Sequence, residues 1–379
     1  MSVTSGRFRR NRSGSSAIAP PGIAWLDIVR PGRIETDEHD HGTQTLPPDW
    51  LASLREDILD PDQPIIDPHH HLWVARPDRY LLEDLVGDVR TGHNVLSTVF
   101  IQCGSAYRKD GPDELRPVGE TEFVAAIAAE SETGAYGAFR ACPGIVGHAD
   151  CLLGDRIDPV LEAHIQAGGG RFKGIRHSGT YDAGIAPTAP PGAPPGLYRD
   201  ASFQLGFSRL HRLGLTFEAW LYHPQLGDLV DLLRAHPAQK VVLNHFGGPL
   251  GVGPYEGKRP EVFAIWSARI KELAQFPNLH VKLGGLAMNV NGFGYHHQVL
   301  PASSGEMANA WRPYVETAVE AFGVDRCMFE SNFPVDKGMC SYPVLWNAFK
   351  RIAAACSADE KAALFHGTAA RFYSLPAVA

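Results

Sequence analysis

The chain has 379 residues, of which 44 % are hydrophobic, and its formal net charge is −7 at pH 7. This apolar content is enough for a large buried core and excludes a wholly disordered chain. The acidic balance argues against a general nucleic-acid binder, and no apolar run reaches the roughly 18 residues of a membrane helix. The 39 glycines and 29 prolines exceed the share of about 12 % in an average chain and show no Gly-X-Y period. We therefore expect a globular protein with many turns and long loops, without nucleic-acid or membrane partners.

The six cysteines are scattered and form no Cys-x-x-Cys pair, which argues against a zinc ribbon or a thioredoxin-like motif. Reduced thiols in a cytoplasmic protein are the simplest interpretation. Pro20 and Pro21 interrupt the one candidate for a secretory h-region, so a signal peptide is not expected.

Residues 1–61 are predicted to form a disordered tail followed by an extended arm, and residues 62–379 a single domain. Met1–Ser15 is rich in Ser, Arg and Gly, which is typical of a tail. The acidic stretch TDEHDHG at 36–42 is interpreted as an exposed loop, since no fixed spacing supports a metal site. The arm is long enough to reach a neighbouring subunit, so a homo-oligomer remains open.

From residue 63 onward, short β-branched or apolar runs alternate with helical periodicity. The predicted strands are 64–68, 96–103, 142–147, 172–177, 215–222, 240–245, 280–283 and 327–331. The predicted helices are 122–131, 159–167, 202–213, 226–235, 262–275, 306–322, 344–355 and 359–372. Eight strands separated by helices indicate an α/β fold, a (β/α)8 TIM barrel. Long Pro/Gly-rich loops at 183–196, 247–260 and 288–304 follow strands and are expected on the C-terminal face, where barrel active sites lie.

The first predicted strand ends in a histidine cluster within IIDPHHHLW. Residues two apart on a strand point the same way, so His69 and His71 are expected to face the barrel mouth together. Two imidazoles on one side can serve as metal ligands or proton carriers.

Two later strands also end in polar residues. His245 follows VVLN and shares the predicted mouth with the first two histidines. Asn332 is expected at the end of the eighth strand, with Glu330 on the same side and one layer deeper. A buried Glu needs a partner, so Glu330 is either paired structurally or functional.

The segments IIDPHHHLW, FKGIRH, VVLNHFGGP, VKLGGL and MFESNFPVD, in this order, resemble the amidohydrolase superfamily. The similarity spans about residues 62–375 and is greatest to its lactonase-like branch, of pyrone-dicarboxylate lactonase and fuconolactonase type. The resemblance implies a hydrolase whose site contains His69, His71 and His245. It further implies that Arg176 binds an anionic or carbonyl group of the substrate.

Asn332 departs from this family pattern, which usually has Asp at that position as ligand and general base. Asn cannot take a proton at neutral pH and is a weak metal ligand. The base is then Glu330, Asp336 or a histidine. Two routes remain open: one divalent ion, zinc or manganese, held by His69, His71 and His245, or a metal-free mechanism.

We therefore expect a hydrolase that opens a lactone or related cyclic ester of an anionic small molecule. His223, Trp73 and Tyr295 are further candidates for substrate binding at the rim. Two alternatives remain: a decarboxylase of the same superfamily acting on an aromatic or muconate-like acid, and a catalytically inactive barrel that serves as a binding protein.

Overall fold

The computed structural model of the protein describes residues 49–74, 79–186 and 192–377. The predicted tail, most of the predicted arm and the stretch at 36–42 lie outside these residues. The described residues belong to one compact unit, Gly42–Ala379. Residues 49–61 pack against the rest of this unit, where the indole N–H of Trp50 donates to the carbonyls of Gln298 and Val299 at 3.2 Å.

Eight parallel strands form one sheet in chain order. They are β1 (Pro64–His70), β2 (Asn94–Ile101), β3 (Arg140–Gly147), β4 (Phe172–Arg176), β5 (Thr216–Ala219), β6 (Val241–Leu243), β7 (Leu279–Leu283) and β8 (Cys327–Phe329). The segment after β8 returns to β1, where the N–H of His71 donates to the carbonyl of Phe333 at 2.7 Å. The sheet is thus nearly closed, and the predicted (β/α)8 TIM barrel is confirmed.

Helices separate the strands and cover the barrel. They are α1 (Leu82–Val89), α2 (Val118–Ser131), α3 (Asp158–Gly168), α4 (Ala201–Arg212), α5 (Leu226–Ala235), α6 (Arg259–Leu273), α7 (Ser304–Phe322), α8 (Tyr342–Ile352), α9 (Ala358–Ala362) and α10 (Thr368–Phe372). The predicted final helix is interrupted, because a π-helical turn at Ala363–Gly367 separates α9 from α10. Helix α1 was not predicted, although Leu82, Leu85, Val86 and Val89 have the spacing of one buried helical face.

Several strands end earlier than the sequence pattern predicts. β5 ends at Ala219 and β8 at Phe329, although apolar residues continue beyond both. Just past β6 and β8, His245 and Asn332 adopt positive φ angles of 51° and 56°, which turn the chain out of the sheet. The residues at the strand ends therefore belong to tight turns, and the period of two does not describe them.

The predicted long loops contain short 3₁₀ turns at Gly253–Tyr255, Asn289–Asn291 and Tyr295–His297. Within the described ranges, no helix is long and apolar enough to cross a membrane. All six cysteines are free, as predicted.

Candidate functional site

Glu330, immediately after β8, joins two of the predicted histidines. His245 Nδ1 lies 2.7 Å from Oε1 of Glu330, and His69 Nδ1 lies 2.7 Å from Oε2. All three side chains are buried, and their rings and carboxylate come together from β1, β6 and β8. The site therefore has a carboxylate between two imidazoles at its centre.

Two glycines after β7 make room for this arrangement. A Cβ on Gly284 would lie 2.4 Å from Cγ of Glu330, and one on Gly285 would lie 2.4 Å from Nδ1 of His245. Gly285 also has a φ of 73°, a conformation that other residues rarely adopt. The pair stands in the VKLGGL segment, so the sequence carried a signal for close approach at this point.

His69 lies between two cationic side chains. Arg176 Nη1 is 3.4 Å from Nε2 of His69, and Lys282 Nζ is 3.3 Å from Nδ1. Burial, and secondly the charge of Lys282, hold the pKa of His69 well below its ordinary value. His69 is therefore a neutral imidazole at pH 7.

His71 lies beside the cluster of His69, His245 and Glu330, and it contacts that cluster less directly than predicted. Its Nδ1 donates to the carbonyl of Ile101 at 2.7 Å, which leaves Nε2 as an acceptor, and its ring centroid is 5.0 Å from that of His69. Burial lowers the pKa of His71 as well. Within the described ranges, the compact set of metal-ligating atoms, all within 4.8 Å of one another, belongs to His69, His245 and Glu330. This set of possible metal ligands includes Glu330, whereas the set predicted from the sequence had His71 in that position.

Arg176, at the end of β4, is 8 % exposed. Its Nε donates to Oε1 of Gln102 at 3.2 Å, and Nη2 donates to the carbonyl of the same residue. No carboxylate of the described residues lies within 4.0 Å of its guanidinium group. A buried guanidinium without a paired carboxylate is suited to an anionic ligand.

Asn332 and Asp336 lie beside the site and bind each other. Asn332 Nδ2 donates to Oδ1 of Asp336 at 2.8 Å, and the N–H of Ala287 donates to Oδ2 at 3.3 Å. Both carboxylate oxygens are thus occupied, and burial raises the pKa of Asp336 well above its ordinary range. The geometry of Asp336 is therefore that of an anchor for two loops.

The other predicted rim residues have separate contacts. His223 Nδ1 accepts from the N–H of Leu250 at 3.2 Å, and burial lowers its pKa to about 4. Trp73 pairs with Tyr80 through backbone hydrogen bonds, and Tyr295 packs against Trp311. Within the described ranges, no hydrogen bond or ring contact joins these three residues to His69, His245 or Glu330.

Sequence reasoning missed two charged residues inside the barrel. Lys282 on β7 and Glu218 on β5 are wholly buried, with Nζ 2.8 Å from Oε2. The signal was a single acidic residue in one apolar strand and a single lysine in another. Because buried charges are paired, the two could have been expected to meet. Trp220, whose ring centroid lies 4.7 Å from that of His245, was also missed.

The donor set fits a divalent ion. Oε2 of Glu330 is buried and has no well-aligned hydrogen bond, although His69 Nδ1 is close. Two imidazole nitrogens and a carboxylate oxygen are ligands that zinc and manganese accept. His69, His245 and Glu330 are therefore the residues that would hold such an ion.

The chain is similar to known proteins in sequence and in fold. The chain is 34 % identical over 335 residues to the uncharacterized protein y4mH of Sinorhizobium fredii, covering 82 % of this chain and 99 % of that one. It is 27 % identical over 322 residues to an L-fucono-1,5-lactonase of Burkholderia multivorans, covering 82 % and 96 %. A crystal structure of an amidohydrolase from Burkholderia multivorans with bound zinc matches with a TM-score of 0.64 and 25 % identity, covering 82 % and 99 %. The family model described as Amidohydrolase matches residues 66–375, and the chain therefore belongs to the amidohydrolase family.

Proposed function

We propose that the protein hydrolyses a lactone or related cyclic ester of an anionic small molecule. The observation that carries this proposal is the hydrogen bond between His245 and Glu330, next to a buried Arg176 that has no carboxylate partner. The similarity to a relative named L-fucono-1,5-lactonase supports the same class of reaction.

The Glu330–His245 pair supplies the base. Nδ1–H of His245 donates to Oε1 of Glu330 at 2.7 Å, so Nε2 of His245 is left to accept a proton from water. The water oxygen forms a bond to the acyl carbon, and the bond between that carbon and the ring oxygen breaks. The proton on His245 then passes to the leaving oxygen, which gives a ring-opened hydroxy acid. Arg176 orients the anionic group of the substrate during these steps.

A divalent ion held by His69, His245 and Glu330 would, when bound, lower the pKa of a water and polarise the carbonyl. The residues around these ligands would keep the same roles when an ion is bound. Arg176 still binds the anionic group, and Asn332 with Asp336 still fixes the loop after β8. The cytoplasmic location and a homo-oligomeric state remain part of this proposal, as expectations from the sequence.

The test is a panel of lactones, with and without a carboxylate, followed by acid release at constant pH. We expect hydrolysis of carboxylated lactones, and a loss of roughly a hundredfold or more in kcat/KM for His245→Asn. His280→Asn is the matched control, because His280 lies on β7 with its ring against Phe372. Equal rates for His245→Asn and the wild type would contradict the proposal.

A further inference from the structure

Lys282 and Glu218 form an ion pair inside the barrel, next to the site. Neither side chain is exposed, and their charged groups are 2.8 Å apart. Taking two charges out of water is costly, and well-packed apolar residues often stabilise a fold equally well or better. Stability therefore does not explain the pair, whereas its contacts with the site do.

Lys282 supports the end of β1, where the sheet is irregular. Its Nζ donates to the carbonyl of Pro68 at 2.9 Å, one residue before His69. The pairing of β1 with β2 shifts register between Asp67 and His70, so the sheet does not hold this stretch regularly. Side chains and the segment after β8 hold it instead, since the N–H of Asn332 donates to the carbonyl of His69 at 2.9 Å.

Glu218 is fixed from three sides. Tyr373, at the end of α10, donates its hydroxyl to Oε1, while Asn244 Nδ2 and Lys282 Nζ both contact Oε2. A carboxylate held in this way keeps the ammonium of Lys282 in one place. The C-terminal segment is thereby connected to the site through Glu218.

The two nitrogens of His69 face groups of opposite hydrogen-bonding character. Arg176 Nη1, which can only donate, faces Nε2, and Glu330 Oε2, which accepts, lies 2.7 Å from Nδ1. The ammonium of Lys282 has three hydrogens. Glu218 and Pro68 accept two of them, and Nδ1 of His69 lies 3.3 Å from Nζ, within reach of the third.

We propose that Lys282 and Glu218 are a positioning pair for His69, which holds the ring with Nδ1 toward Glu330 and Nε2 toward Arg176. The inference deepens the proposed function, on which its kinetic readout rests. Its structural readout, the ¹⁵N signals of the His69 ring, does not depend on any substrate.

The experiment compares Lys282→Met/Glu218→Gln with the wild type. The double variant removes both charges, so no buried charge is left without a partner. Lys350→Met is the matched control, since Lys350 is another buried lysine, but it donates to the carbonyls of Leu59 and Asp60. Long-range ¹H–¹⁵N spectra report the surroundings of both ring nitrogens of each histidine, and His69→Gln identifies the signal of His69.

We expect the same ¹⁵N signals of the His69 ring in the wild type and in Lys350→Met, and shifted or broadened signals in the double variant. For a lactone that the wild type hydrolyses, kcat should fall on the order of tenfold or more in the double variant with little change in KM. A folded double variant with the wild-type signal of His69 and the wild-type kcat would overturn the proposal.

If the double variant does not fold, Tyr373→Phe tests the proposed positioning pair instead. It removes one donor to Glu218 and leaves both charges in place. We expect a smaller change of the same kind in the His69 signal, and an unchanged signal would count against the pair. If the wild type hydrolyses no lactone, the proposed function fails, while the spectra still test the positioning of His69.

Discussion

His245 is held by its neighbours, because it lies beyond the last paired residue of β6. Its φ of 51° turns the chain away from the sheet, Glu330 accepts from its Nδ1, and the ring of Trp220 packs against its ring nearly at a right angle. Gly285 forms the remaining side, where a Cβ would lie 2.4 Å from Nδ1. The orientation of the proposed base therefore depends on a residue that has no side chain.

Gly285→Ala is predicted to lower both stability and activity. The positive φ costs about 1–3 kcal/mol of unfolding free energy for a residue with a Cβ, and the methyl group displaces His245. Gly214→Ala is the control, since Gly214 has a φ of 67° with no atom within 4 Å of the added Cβ. Urea unfolding should show a loss in both variants, while kcat/KM should fall in Gly285→Ala alone. Unchanged kcat/KM in Gly285→Ala would contradict this account of the site.

Glu120, in the first turn of α2, is a buried carboxyl whose Oε1 accepts from the N–H groups of Cys103 and Ser105. Burial raises its pKa from 4.5 to about 7. Because the folded-state pKa lies above the unfolded one, the folded protein keeps this proton between pH 4.5 and 7. The contribution of Glu120 to stability is thus present below about pH 4.5 and is lost as the pH rises through 7, a loss of about 3 kcal/mol.

Glu120→Gln should remove this dependence on pH. Relative to the wild type, its unfolding free energy should improve by about 3 kcal/mol between pH 4.5 and 8. Glu122→Gln, an exposed change on the same helix, should not follow this trend. Urea unfolding at the two pH values measures the unfolding free energy of both variants. An equal change between pH 4.5 and 8 in Glu120→Gln and in the wild type would show that the folded protein does not keep the proton on Glu120.

At the scale of elements, the turn after β8 separates the roles of two carboxyl groups. Glu330 lies between the histidines, whereas Asp336 holds Asn332 and the N–H of Ala287 in the loop after β7. Prediction from the sequence named both as candidates for the base, and it placed Glu330 by extending a period of two past Phe329. The positive φ of Asn332 ends that period, and it is a property of the turn that a strand pattern does not report.

Glu330→Gln is predicted to reduce kcat by roughly a hundredfold or more, because it removes the negative charge next to His245. Asp336→Asn keeps a side-chain acceptor for the loop, so we expect it to lower the melting temperature and to leave kcat within a few fold. Steady-state kinetics and thermal unfolding of the two variants measure this contrast. A larger loss of kcat in Asp336→Asn would assign the base to Asp336.

At the scale of the whole molecule, the barrel was predictable from the sequence, and the internal partners of the site were not. The alternation of buried strands and amphipathic helices follows from local periodicity, so all eight strands were found. His69, His245 and Glu330, which the structure brings together, were predicted as candidates because polar residues at strand ends stand out. The pairing of Lys282 with Glu218 joins β7 to β5, and no local pattern specifies which buried charges meet across a barrel.

Metal binding should be visible in the stability of the whole protein. An ion that binds the folded state alone stabilises it by about 2.7 kcal/mol at a free concentration of 100 times Kd. We therefore expect zinc to raise the Tm of chelator-treated wild type, and Glu330→Gln to lose most of that rise. Glu122→Gln, which removes an exposed carboxylate, should retain it. An equal rise in Glu330→Gln and the wild type would place the ion elsewhere.

The central claim is that water attacks the carbonyl of a cyclic ester at the site formed by His69, His245 and Glu330. The most direct measurement is mass spectrometry of the product formed from a carboxylated lactone in ¹⁸O-labelled water. We expect a ring-opened hydroxy acid with one ¹⁸O atom in its new carboxyl group, and no such product with His245→Asn. Release of carbon dioxide without incorporation of ¹⁸O would contradict it and favour a decarboxylase.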